Sequence, residues 1–189
     1  MLSHRTSHAR AVVDRTTCEK TACDVSTQWR TDWPSPPGSF VMDDVYRAWA
    51  TWEKERTQEA QQVLLERAAV ACAQFRACPT EHDAPAVWAW AMRVVRTWLD
   101  YEGRIDPRKE DVREARAQHA DVVRATLGIL RNASLSDAYA CQALAHTDTL
   151  AQLCAMCVAY ERMSEPALLV MIRVLTQLLV NLVTRHEAV

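Results

Sequence analysis

Four side chains that could bind a metal lie close together in the C-terminal half of the sequence. Cys154 and Cys157 form a Cys-x-x-Cys pair, and Cys141 and His146 precede them. Thiolate and imidazole are preferred zinc ligands, and four of them would complete a tetrahedral site. Zinc-binding pairs usually lie on a tight turn, whereas "LCAMCVAYE" has the composition of a continuous apolar helix, where free cysteines are common core residues. The pattern favours core cysteines, and no metal or cofactor is expected.

Other catalytic patterns are missing from the sequence. His186-Glu187 does not continue into a zinc-protease motif, and the sequence contains no Gly-rich phosphate loop and no nucleophile beside a base. The chain also has only three glycines, which leaves little scope for strained active-site turns. We therefore expect a protein that is not an enzyme.

Amide side chains recur in the most aliphatic text. Gln177 and Asn181 lie one helical turn apart in "TQLLVNLVTRHEAV", and Asn132 lies 49 residues before Asn181 in "ATLGILRNAS". Because an amide offers two donors and an acceptor, the two asparagines could hold the backbone of an extended peptide. They could equally satisfy backbone carbonyls left open at a helix end. Both interpretations stay open, and we take Arg131, Asn132, Gln177 and Asn181 as candidate protein-binding residues.

The elements that position these residues are helical. Residues 1–39 show no apolar period and close on "WPSPPGS", which predicts a flexible N-terminal arm. Residues 40–189 form the helical domain, in which Asp43 or Asp44, Asp83, Asp106-Pro107, and Thr147 or Asp148 read as helix starts. The charged run "RKEDVREAR" predicts a solvated face. Trp88 and Trp90 point to different faces, so one of them should be partly exposed. No segment alternates as a strand does, and we predict no sheet.

Charge and cysteine content limit the partners and the compartment. The net charge of −2 and the pI of about 6.3 give no field that would favour nucleic acid. The seven cysteines are an odd number, and no secretory signal peptide precedes them. Reduced thiols and a cytoplasmic location are expected.

The stretch "PALLVMIRVLTQLLVNLV" has nearly the length of a membrane span. Arg173 near its centre would cost about 2.5–3.5 kcal/mol in the bilayer. A tail anchor is therefore the lesser alternative, and a helix buried between protein helices is expected. Because the stretch is apolar around much of its circumference, it makes a poor solvent-exposed end. Two interpretations follow: the chain is the N-terminal fragment of a longer protein, which we favour, or the helix packs against a partner or a second copy of the chain.

An internal repeat connects the two amide segments. A shift of 49 residues places Val123-Arg124 on Ile172-Arg173 and Asn132 on Asn181. Each copy is a long helix, with two shorter helical segments between them. Two short helices and one long helix make up an armadillo unit, whose usual period is about 40–47 residues. The predicted fold is an all-α, right-handed, armadillo-like helical solenoid.

Both segments also resemble a known family. "LGILRNAS" and "QLLVNLVTRHE" are similar to two segments of the ataxin-10 family, and the similarity covers roughly residues 120–189. The matching positions are Leu130, Arg131, Asn132, Ala133, Gln177, Leu178, Leu179, Asn181, Leu182, Val183, Thr184 and Glu187. The chain departs from the family at Asp137, where an Asn-Gln pair is usual, and at Arg185-His186, where Gly-Asn is common.

The resemblance implies a cytoplasmic protein–protein interaction scaffold with a role in cytokinesis. It also implies a longer protein, of which this chain would be the N-terminal, armadillo-like part. An alternative function is regulation of a small GTPase, because other armadillo stacks act as exchange factors. Composition and spacing by themselves indicate the scaffold alone.

Overall fold

The computed structural model describes residues 40–78, 83–105, 112–161 and 166–186. The α-helices in these ranges are α1 (Phe40–Glu55), α2 (Gln58–Ala77), α3 (Ala84–Glu102), α4 (Arg113–Ala133), α5 (Asp137–Gln142), α6 (Thr147–Glu161) and α7 (Pro166–His186), and a 3₁₀ helix (Ala143–His146) joins α5 to α6. Nothing in the described ranges is a strand. The all-α prediction is confirmed. The predicted N-terminal arm and the predicted start at Asp106-Pro107 lie outside the described residues.

The first helical hairpin turns sharply at Arg56. This residue has a φ of 55°, and its N–H donates to the Trp52 carbonyl at 2.9 Å. A left-handed residue just after a helix is a common helix end, although glycine usually occupies it. Thr57 then caps α2 by accepting from the Ala60 N–H at 3.2 Å. The prediction that Asp43 or Asp44 caps α1 is wrong, because α1 begins at Phe40 and includes both residues.

Two further predicted helix starts have different outcomes. Asp83 caps α3 as expected, with its Oδ1 accepting from the Ala86 N–H at 3.3 Å, and α3 ends at Gly103. Thr147 does not cap α6, because its φ of −55° and ψ of −41° are already helical. Asp148 then lies in the first turn of α6. The reason is that the 3₁₀ helix runs directly into α6 and leaves no extended residue between them.

The long helices α2, α4 and α7 pack against one another in chain order, with α4 in the middle. Helix α3 contacts α4, α5 and α6. Both Trp88 and Trp90 are buried in α3, so the prediction that one of them is partly exposed is wrong. The reason is that helices cover both of their faces: the Trp88 indole donates to the Tyr139 carbonyl in α5 at 2.8 Å, and Trp90 packs on Tyr46 of α1.

The charged run at the start of α4 is not wholly solvated. Arg116 and Glu102 are almost fully buried, with side-chain exposures of 1% and 2%. Arg116 Nε lies 3.1 Å and 3.2 Å from the two carboxylate oxygens of Glu102 at the end of α3. The solvated-face prediction is therefore wrong at Arg116. A buried ion pair is hard to infer from sequence, because burial of two charges costs free energy that only close pairing offsets.

Helix α7 is the one described helix that is long and apolar enough to cross a membrane. Residues 166–185 have a mean hydropathy of 1.9, and 28% of this window is buried within the protein. Leu168, Met171, Leu175, Leu178 and Leu182 form its buried face. One such helix is weak evidence for a membrane span, because a helix that packs in a protein core can have the same length and hydropathy. Membrane insertion is therefore not indicated.

Candidate functional site

The two asparagines join the three long helices. Asn132 of α4 donates from Nδ2 to the carbonyl of Cys72 in α2 at 2.8 Å. Asn181 of α7 donates from Nδ2 to the carbonyl of Arg131 in α4, also at 2.8 Å. We call each of these hydrogen bonds an asparagine bridge. They are the only two asparagines in the sequence, and each links its helix to the preceding long helix.

The second bridge completes the C-terminal turn of α4. The carbonyls of Leu130, Asn132 and Ala133 accept from the backbone N–H groups of the turn that follows the helix, and the Arg131 carbonyl accepts from Asn181. The last carbonyls of a helix have no partner within the helix, and each needs one from outside. Asn181 therefore fits the interpretation in which the amide satisfies a carbonyl at a helix end, here the end of a neighbouring helix.

Arg131 connects the two bridges. Its Nε donates to Asn132 Oδ1 at 3.2 Å, and its Nη1 donates to Gln177 Oε1 at 2.7 Å. All four candidate residues from the sequence thus belong to one hydrogen-bond network across α2, α4 and α7. Asn132 is 5% exposed, whereas Arg131 is half-buried and Gln177 is exposed. The network runs from the core to the surface, and its outer part is accessible to a partner.

The α2–α4 contact is close because Gly128 has no side chain. A Cβ at this position would lie 3.3 Å from Cys72 Sγ, closer than ordinary van der Waals contact. Burial raises the pKa of the Cys72 thiol, although the neighbouring Arg131, Arg76 and Arg124 partly oppose this. The thiol therefore stays protonated at neutral pH and acts as an apolar packing group beside the first bridge.

Two of the four candidate zinc ligands, Cys154 and Cys157, lie in surroundings that disfavour metal binding. Cys157 is buried on α6, and burial raises the pKa of its thiol to about 12; burial also raises the pKa of Cys154. Because the thiolate is the metal ligand, these shifts oppose metal binding by this pair. Within the ranges that the structure describes, no group of three His, Cys, Asp or Glu side chains is placed to share a metal ion.

A second polar cluster joins the α1–α2 corner to α4, and the sequence did not indicate it. His119 Nδ1 donates to the Ala115 carbonyl at 2.8 Å, so its Nε2 is the acceptor for Arg56 Nη1 at 2.6 Å. The Arg56 guanidinium lies 4.2 Å from the Trp52 ring centroid, and Tyr101 stacks on His119 at 4.4 Å. These residues border an open depression of about 480 Å³. The spacing of Trp52 and Arg56 was visible in the sequence, but nothing there connects them to His119.

Burial lowers the pKa of His119, with Arg56 adding to this effect and the Ala115 carbonyl opposing it. The imidazole is neutral in this arrangement, because its two nitrogens act as one donor and one acceptor. Helices α1, α3 and α4 therefore meet around a histidine whose protonation would remove the acceptor for Arg56.

Comparison of the chain with protein-family models, with curated proteins and with solved structures finds no match.

Proposed function

We propose that the protein is a non-enzymatic protein–protein interaction scaffold built as an armadillo-like, right-handed helical solenoid. The observation that supports this proposal is the repeated asparagine bridge. The same donor atom meets the same kind of acceptor between α2 and α4 and again between α4 and α7. Solenoids are built from such repeated nearest-neighbour interfaces, and they bind partners along the surfaces formed by successive units.

The proposed binding edge consists of the outer part of the network, Arg131 and Gln177. Arg131 presents a planar guanidinium that suits carboxylates or backbone carbonyls of a partner. Its exposed neighbour Gln177 adds an amide at 2.7 Å. Asn132 and Asn181 each use at least one N–H within the protein, so we assign them to holding the helices that carry this edge.

The cellular role that we propose, regulation of cytokinesis in the cytoplasm, comes from the resemblance of the two amide segments to the ataxin-10 family. A tagged protein should concentrate at the division site in dividing cells of its own organism, and its depletion should impair cell separation. A diffuse distribution together with normal division after depletion would reject this role and leave a scaffold of other purpose.

The binding edge has its own test. Gln177→Ala should weaken capture of any partner found at the division site by about tenfold, the equivalent of roughly 1.4 kcal/mol. Gln62→Ala is the matched control, since Gln62 is an exposed glutamine on α2 that bonds to Glu66 at 2.9 Å. Equal capture by both variants would place the binding surface elsewhere. Acceleration of nucleotide release from a small GTPase would instead support the alternative regulatory function.

A further inference from the structure

The outward stripe of α7 repeats a face that is covered in α4. This face consists of Arg124, Leu127 and Arg131 of α4 and of Ser134, the residue just after the helix. Arg124 and Arg131 are half-buried, and Arg131 contacts α7. Leu127 and Ser134 are fully buried. The residues 49 positions later, Arg173, Thr176, Val180 and Val183, are all exposed, and Val180 and Val183 are 54% and 56% accessible. We call these four residues the α7 stripe.

Beside each asparagine bridge, a second residue at a fixed spacing from the asparagine contacts the neighbouring helix. The residue four places before the asparagine meets the side chain of the residue whose carbonyl accepts. Gly128 precedes Asn132 by four and lies against Cys72 Sγ, and Gln177 precedes Asn181 by four and bonds to Arg131. The residue four places before each asparagine therefore suits the side chain of the acceptor residue. Gly128 leaves room for the Cys72 thiol, and the Gln177 amide bonds to the Arg131 guanidinium.

The same register defines the next acceptor on α7. Arg131 lies 49 positions before Val180, which is the spacing of the internal repeat, so the equivalent carbonyl is that of Val180. The Thr184 hydroxyl donates to this carbonyl at 2.9 Å, but it also lies 3.1 Å from the Asn181 carbonyl, which offers it another acceptor. Because the Val180 side chain is aliphatic, the residue four places before an incoming asparagine would be apolar or small.

We propose that the α7 stripe binds a helix of a partner protein that carries an apolar or small residue, three residues of any type, and then an asparagine. The asparagine donates to the Val180 carbonyl, the apolar residue packs on Val180, and an acidic side chain pairs with Arg173. This inference rests on the proposed scaffold function and names the chemistry of its partner.

The same observations argue against other occupants. A second copy of the chain has no asparagine to supply, because both of its asparagines form bridges within the chain. Lipid is a poor occupant, because Arg173 and Thr176 lie within the stripe and both would lose hydration in a bilayer. A protein helix that carries an acidic side chain and an amide matches the charge of Arg173 and the register of the two asparagine bridges.

Photocrosslinking with residue-level identification tests the inference. Purified protein carrying benzoylphenylalanine in place of Val183 is incubated with a lysate of its own cells, and the crosslinked residue is mapped by mass spectrometry. The same substitution at Val70 is the control, since Val70 is a valine of α2 with a similar exposure of 50%. We expect position 183 to crosslink to a helical segment of another protein with the stated pattern.

A synthetic peptide of the mapped segment then measures the contribution of the bridge. Replacing its asparagine by alanine should weaken binding about tenfold, as should Val180→Asp in the protein, whereas Val70→Asp should leave the affinity unchanged. Crosslinks from position 183 to a second copy, to lipid or to a segment without asparagine would overturn the inference. Crosslinks only from Val70, or binding only at the Arg131–Gln177 edge, would overturn it while the scaffold function stands. If no position captures a protein, both proposals fall.

Discussion

At the scale of single residues, the structure assigns polar groups to packing between helices. Asn132, Asn181 and Gln177 lie in aliphatic text, and each meets a polar group of the preceding long helix. A buried amide without a partner would cost more than an apolar residue of similar size, so these side chains stabilise only this arrangement of the helices. The amides therefore specify which helix packs on which.

Replacing the buried asparagine tests this assignment. Asn132→Ala should lower the free energy of unfolding by about 1–3 kcal/mol, because the Asn132 side chain is buried and Arg131 Nε loses its acceptor. Asn132→Asp should also destabilise, since a carboxylate cannot donate to the Cys72 carbonyl. Urea unfolding measures both. Thr176→Ala, which removes an exposed hydroxyl bonded within its own helix, should change stability by less than about 0.5 kcal/mol.

Protonation of His119 should make stability depend on pH. Its pKa is lowered in the folded protein, as is that of His146, where burial and then Arg96 lower it. The unfolded chain therefore binds more protons below about pH 6.5. Stability should be complete above about pH 7 and should fall as the pH drops through 6.5 toward the folded pKa values.

Urea unfolding at several pH values between about 7.5 and 5.5 measures this dependence. His119→Gln should give a shallower decline than the wild type, and His146→Gln separates the second contribution. The expected difference lies in the slope, whatever the variant does to stability at neutral pH. Equal slopes for wild type and His119→Gln would show that the histidine titrates normally.

At the scale of elements, the α3–α4 pair depends on one buried ion pair. Glu102 ends α3, Arg116 lies in the first turn of α4, and both side chains are almost fully enclosed. Two apolar residues of similar volume often replace such a pair without loss, but removal of one partner leaves an uncompensated charge. We therefore expect the pair to add little net stability compared with two apolar residues of similar volume.

A double-mutant cycle separates the net stability that the ion pair contributes from the cost of leaving one of its charges without the other. Arg116→Leu should destabilise the protein by about 3–5 kcal/mol, because the Glu102 carboxylate stays buried. Adding Glu102→Leu should restore most of the lost free energy. Thermal and urea unfolding measure the coupling. If the double variant is as unstable as the sum of the two single variants, the pair is not acting as a unit.

Substitutions on the buried face of α7 should cost much more stability than substitutions on its exposed stripe. Leu178 is fully buried, and Leu178→Ala should cost about 2–5 kcal/mol of stability. Val180→Ser and Val183→Ser change exposed residues of the same helix and should alter stability by less than about 0.5 kcal/mol. A large loss from either serine variant would mean that another part of the protein covers the stripe.

At the scale of the whole molecule, α4 is the helix on which the described fold depends. It packs against α2, α3 and α7, whereas α7 packs against α4 and the shorter helices α5 and α6. Protection of backbone amides follows how completely an element is enclosed. The amides of α4 should therefore exchange hydrogen more slowly than those of α7, which hydrogen-exchange mass spectrometry measures. Faster exchange in α4 would contradict this order of stability.

The features that could be predicted from the sequence are those that depend on residues close together in the chain. The Asp83 cap of α3 and the helical character of the aliphatic stretch in α7 depend on neighbouring residues, and the sequence predicted both. The predictions for exposure of one of Trp88 and Trp90 and for Arg116 were wrong, because other helices determine the surroundings of those residues. The cap prediction for Thr147 was wrong because a 3₁₀ helix runs directly into α6. The four candidate site residues could be selected because their types are unusual in aliphatic text, but their partners could not.

The sequence by itself therefore determined that this chain is helical and that α3 begins after Asp83, since hydrogen bonding and capping within a helix are local properties. Tertiary structure alone decided that Cys72 and Arg131 supply the carbonyls for the two asparagines. It also decided that Glu102 pairs with Arg116 and that burial, with Arg56 beside it, lowers the pKa of His119. The physical reason is that burial and pairing of a polar group are properties of two elements in contact, and sequence spacing does not encode which elements meet.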